Sequence, residues 1–65
     1  MITFTFNNSI TTSTPQSIEE LVQEKVGSDQ GVAVAINSTV LPRSQWSRQI
    51  ANNDVVDILT AVQGG

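Results

Sequence analysis

Gly64 and Gly65 close the sequence and are two of its four glycines. A segment without Cβ atoms can thread a channel too narrow for side chains and bring an α-carboxylate against the reacting atoms of a partner. The chemistry of this chain is therefore expected at its last atom, on the α-carboxylate of Gly65. The competing reading is a plain tail, since chain ends commonly lack ordering contacts.

No other residues form a reactive constellation. The chain has no histidine and no cysteine, so it lacks the usual base near neutral pH, a thiolate nucleophile, a soft metal ligand and any disulfide. Asp54 and Asp57 lie close in sequence, but two carboxylates without further oxygen-rich spacing fall short of a calcium loop. They read as turn-capping, solvent-exposed groups, and no metal site is expected. Arg43 and Arg48 read as exposed ion-pair partners or as stems packed on the surface. Trp46 reads as the lid of a small core rather than a binding hot spot.

The composition sets further bounds. Sixty-five residues make one domain, 1–65, that buries only about 60% of the surface of its unfolded chain. That leaves no volume for an enclosed active site, and with no Ser, His and Asp or Cys and His set the chain is not expected to be an enzyme. A net charge of −3 opposes binding to nucleic acid, which requires clustered Lys and Arg. The longest apolar run, Val32 to Ile36, is far short of the ~20 residues of a membrane span, and no basic stretch leads into an apolar one at the start. The expectation is a soluble, unprocessed, cytoplasmic protein. Only 14% of residues are charged, against about 25% in typical domains, so the surface is rich in Ser, Thr, Asn and Gln and tolerant of docking.

The elements that position the two glycines can be read from periodicity. Ile2, Phe4 and Phe6 alternate with Thr3, Thr5 and Asn7, as in a strand with one buried face. Asn7-Asn8 suits a left-handed turn into a second strand, Ser9 to Ser13, completing a hairpin. Thr14-Pro15 ends it. Ser17 and Glu20 match a capping box, and Ile18, Leu21, Val22 and Val26 fall on one helical face before Gly27, predicting a helix of about three turns. Glu19, Glu20 and Glu24 decorate its outer side, where the acidic residues near its start suit the helix dipole.

Gly31 opens Val32 to Ile36, an internal strand whose large residues share one parity and should face the helix. Asn37-Ser38 turns the chain into Thr39 to Leu41, which Pro42 ends. Ser44 is expected to cap a short helical turn through Trp46. Asn52-Asn53-Asp54 forms another turn before the β-branched run Val55 to Val62, which leads into Gln63, Gly64 and Gly65.

This order predicts an α+β, β-grasp (ubiquitin-like) architecture: a mixed sheet of four to five strands with one helix across one face and a flexible Gly-Gly tail from about residue 62 to 65. The two long terminal strands should lie side by side and parallel. Thr3, Thr5, Ala33, Ala35, Asp57 and Leu59 are candidates for the uncovered face, although alternation alone leaves the parity of the last strand open.

At this point the sequence resembles the ThiS sulfur carriers, small β-grasp proteins of thiamine biosynthesis in the MoaD/ThiS superfamily. The resemblance covers the whole chain. Its most specific segment is Ala35 to Trp46, which is similar to the family's run of an apolar strand, Asn, a turn, an aliphatic pair, Pro-Arg and then Trp. The terminal Gly64-Gly65 is its second marker. Where the family usually has Gly-Asp, this chain has Asn53-Asp54, and asparagine is the next-best left-handed residue.

The resemblance implies that the Gly65 carboxylate is adenylated by a ThiF-type adenylyltransferase using ATP and Mg, with no cofactor bound to the chain itself. A persulfide sulfur donor would then replace AMP to leave a thiocarboxylate. The loaded tail, with Gly64 giving passage through narrow channels, would deliver sulfur to the thiazole synthase ThiG. The free protein is expected to be a monomer.

Two other readings stand beside this one. A MoaD-like carrier for molybdopterin, or a carrier for tRNA thiolation or cysteine synthesis, shares fold and tail. A ubiquitin-like interaction module without sulfur chemistry is the third, although Lys25 is the sole lysine and leaves little for self-linked chains to attach to.

Overall fold

The structure is a computed structural model that describes residues 1–28 and 30–60. Its elements run β1 (Ile2–Phe6), β2 (Ser9–Ser13), α1 (Ile18–Lys25), β3 (Val32–Ile36), β4 (Thr39–Leu41), a short 3-10 turn (Arg43–Gln45) and β5 (Val55–Thr60). The five strands form one mixed sheet in the order β2-β1-β5-β3-β4. β1 pairs in parallel with β5, as expected of the two long terminal strands, and every other pairing is antiparallel.

Two-residue turns set the register of both outer hairpins. Asn7 and Asn8 take φ of 46° and 70°, and Asn37 and Ser38 take 51° and 70°. Positive φ at both central positions twists a tight turn in the same sense as the strands it joins. Phe6 therefore pairs with Ser9, and Ile36 with Thr39. The asparagine predicted to stand in for glycine before the last strand, Asn53, likewise has φ of 71°.

The helix forms where the capping pattern places it. Ser17 Oγ accepts from the N–H of Glu20, and Glu20 Oε1 accepts from the N–H of Ser17. The N–H groups of Ile18 and Glu19 donate to the carbonyls of Arg48 and Trp46. The donors of the first turn, which no helix can satisfy internally, are thus satisfied partly by a segment far along the chain. At the other end Gly27 has φ of +82° and open space where a Cβ would stand, so the stop calls for glycine on conformational rather than steric grounds. The helix spans eight residues, about two turns rather than the three expected.

Ile18, Leu21 and Val22 of α1 pack onto Phe4, Val34, Ile36, Val56 and Ile58 of the sheet, and Trp46 and Ile50 complete the core. The large residues of β3 face the helix as predicted. Trp46 is buried as a lid, its Nε1 donating to the Leu41 carbonyl at 3.2 Å. Ile50 enters the core although nothing periodic surrounds it, because its N–H bonds to the Gln16 carbonyl and lays residues 46–50 beside the start of the helix. The expected Ser44 cap is not made: the turn is capped by Pro42, with no side-chain bond, because it begins at Arg43, two residues before the start that a Ser44 cap implies. No helix among the described residues is long and apolar enough to cross a membrane.

Candidate functional site

Gly64 and Gly65 lie outside the described residues, as do Ala61 and Val62, the end expected for the last strand. What the structure describes is the strand that leads to them and the surface around it.

β5 is held from both sides. From β1, the N–H groups of Thr5 and Asn7 donate to the carbonyls of Asp54 and Val56. Beyond the end of β1 the ladder is continued by a side chain: Asn7 Oδ1 accepts from the Ile58 N–H at 2.8 Å and Asn7 Nδ2 donates to the Ile58 carbonyl at 3.3 Å. On the opposite edge Asn37 makes a similar clamp. Its backbone N–H donates to the Val55 carbonyl while its Oδ1 accepts from the Val55 N–H. The amide of asparagine presents one donor and one acceptor side by side, so each turn residue acts as a short extra piece of strand.

The start of β5 is fixed by Asp54. This side chain was expected to cap a turn in solvent; it does cap the turn, but it is buried. Its Oδ2 accepts from the Ala51 N–H at 2.8 Å and from Arg48 Nη1 at 3.1 Å, and its Oδ1 accepts from Asn37 Nδ2 at 3.1 Å. Burial alone raises the Asp54 pKa. The bonds from Ala51, Arg48 and Asn37 and the charge of Arg48 outweigh that effect and hold the carboxyl below its ordinary value. Only the tertiary fold completes the enclosure of this carboxylate, since Arg48 and Ala51 lie in the loop just before it but Asn37 comes from the β3–β4 turn. Arg48 is accordingly an ion-pair partner, its side chain 39% exposed. Lys25 sits 5.7 Å from the centre of the Phe6 ring.

The face of the sheet away from α1 carries the larger surprise. Val56 and Ile58 point into the core, which settles the parity of β5 and places Val55, Asp57 and Leu59 outward. The expected residues Thr3, Thr5, Ala33 and Ala35 join them. The hairpin registers add Ile10 opposite Thr5 and Val40 opposite Ala35. Ile10 is 81% exposed, Val40 74%, Leu59 69% and Val55 40%. Apart from Met1, every exposed large aliphatic side chain among the described residues is therefore on this one face. Ile10, Val40 and Val55 were missed from sequence, yet the signal was present: a two-residue turn puts the residues flanking it in register and so fixes which strand positions share a face.

Among the described residues there is no pocket and no group of three or more potential metal ligands. The arrangement is thus an open, mostly aliphatic platform whose central strand leads toward the two glycines. It suits contact with another protein surface.

Comparison with known proteins gives a consistent picture. The family model described as "ThiS family" matches residues 2–65. The chain is 31% identical over 51 residues to the sulfur carrier protein ThiS of Escherichia coli (strain K12), an alignment covering 77% of each protein. Among solved structures it is similar to the crystal structure of the thiamine biosynthesis protein ThiS from Geobacter metallireducens. That likeness has a TM-score of 0.79 at 26% identity and covers 98% of this chain and 100% of the other.

Proposed function

The chain belongs to the ThiS family of sulfur carriers, and from that premise we propose that it carries sulfur for the thiazole ring of thiamine as a thiocarboxylate on Gly65. The family match, which extends through Gly65, is the observation that carries this reading.

In this scheme the Gly65 carboxylate attacks the α-phosphate of ATP on a ThiF-type adenylyltransferase, expelling pyrophosphate and leaving an acyl adenylate. ATP and Mg are bound by that partner. The terminal sulfur of a donor persulfide then attacks the acyl carbon and AMP departs. A second thiol of the donor system then attacks the inner sulfur of the resulting acyl disulfide, so the original S–S bond breaks, a donor disulfide forms and the thiocarboxylate is released. That sulfur is a better nucleophile than the oxygen it replaces, and the thiazole synthase ThiG receives it. Gly64 lets the tail lie in a channel that a Cβ would obstruct. The open sheet face supplies the docking surface, and β5 runs from that surface to the tail, so docking brings the tail to the partner's reaction centre in a cytoplasmic setting.

The test is intact-mass analysis after incubation with the adenylyltransferase, ATP and a persulfide donor. An exchange of oxygen for sulfur localised to Gly65 is expected, and deletion of Gly65 should abolish it without altering the thermal melt. A loaded product from the truncated chain, or an isopeptide-linked product from the full one, would overturn the reading.

A further inference from the structure

We propose that the open sheet face receives a partner surface that is apolar and carries one cationic side chain, an arginine or lysine, set against Asp57. This rests on the carrier reading and specifies the partner that the platform admits.

Asp57 is the only charged residue in any of the five described strands. It lies outward on β5, between Val55 and Leu59, and pairs in register with Ala35, which in turn pairs with Val40. The carboxylate is thus at the centre of the aliphatic platform and not on its rim. It is half-buried, and among the described residues it has neither a hydrogen bond nor an ion pair. No strand carries a lysine or arginine, so the sheet itself provides no countercharge. Of the three cationic side chains, Arg48 is bound to Asp54, Lys25 lies at Phe6 on the helix side, and Arg43 is engaged in an interaction of its own that does not involve Asp57.

These facts decide among occupants. A purely apolar partner surface would cover an unpaired carboxylate, which is strongly unfavourable. A second copy of this chain would be no better. A two-fold pairing brings each patch against itself, so it would place two carboxylates in one aliphatic interface with no cation between them, in a protein already at net charge −3. A partner with a single matched cation removes the penalty and gains a charge pair in a desolvated setting. Because that pairing rejects surfaces that fit by shape but lack the charge, Asp57 is a specificity-determining residue, and the aliphatic side chains supply contact area.

The experiment measures ATP–pyrophosphate exchange by the ThiF-type adenylyltransferase of the same organism as a function of carrier concentration. It compares the wild type with Asp57→Asn and Asp57→Lys at low and high salt. The carrier KM is expected to rise on the order of 10- to 100-fold for Asp57→Asn and further for Asp57→Lys, with kcat at saturation unchanged. The wild-type KM should climb with salt and that of Asp57→Asn should not. Thermal melts should coincide, since the Asp57 side chain makes no bond within the described fold. An unchanged KM in both variants would overturn the proposal, as would sedimentation of the wild type as a dimer, which would give the face to a second copy. Absence of exchange with the wild type would instead overturn the carrier reading itself, and the proposal with it.

Discussion

Replacing Asp54 with alanine removes three hydrogen bonds at once, those from Ala51 N–H, Asn37 Nδ2 and Arg48 Nη1. The donors belong to exposed residues, so water can reach them once the carboxylate is gone. The loss is then the net value of each bond, about 1 kcal/mol, and not the full cost of a buried orphan. The Arg48 contribution stays at that level because its side chain is 39% exposed and screened by solvent. The total is roughly 3 kcal/mol, most of the ~3–5 kcal/mol available to a domain of this size.

Urea unfolding followed by the fluorescence of Trp46, the sole tryptophan and a buried one, would measure the loss. The melting temperature should fall by about 12–24 °C at roughly 4–8 °C per kcal/mol. Asp54→Asn keeps an acceptor but no charge, and it separates the pH-dependent part. The folded-state pKa of Asp54 lies below its unfolded value, so its contribution is fully present above about pH 3.9 and is lost as pH falls through the lowered folded value. Wild type should therefore lose stability below about pH 4 more steeply than Asp54→Asn. A loss under about 1 kcal/mol for Asp54→Ala, or matching acid slopes for wild type and Asp54→Asn, would refute the reasoning.

Other substitutions test the remaining supports. Ser17→Ala opens the capping box and should cost about 1 kcal/mol in urea unfolding, within the usual range for such caps. Trp46→Phe keeps most of the buried ring but removes the indole N–H bond to the Leu41 carbonyl, with an expected loss of about 1 kcal/mol by circular dichroism melting. Gly64→Ala should leave the melt unchanged while slowing formation of the thiocarboxylate, followed as the time course of the loaded mass.

Much of this molecule was legible without coordinates because its signals are local. Positive φ at Asn7, Asn8, Asn37 and Asn53, the Ser17 and Glu20 box and the alternation of β1 and β3 each depend on residues within a few positions of one another. The terminal glycines and the segment from Ala35 to Trp46, with its Pro-Arg and tryptophan, pointed to the family for the same reason: they are linear patterns. The sequence by itself thus determined the elements, their turns and the kind of chain this is.

Tertiary structure decided what depends on residues far apart. It settled which parity of β5 faces out, since only packing against α1 distinguishes two apolar sides. It also enclosed Asp54, because Asn37 reaches the carboxylate only when the β3–β4 turn meets the loop that carries Arg48, Ala51 and Asp54 itself. Asn7 and Asn37 became clamps on β5 only once the strands lay beside them. The collection of Ile10, Val40, Val55 and Leu59 around Asp57 likewise exists in no stretch of sequence. Strand order assembles it, and burial of the opposite face against the helix obliges those side chains to stand in water.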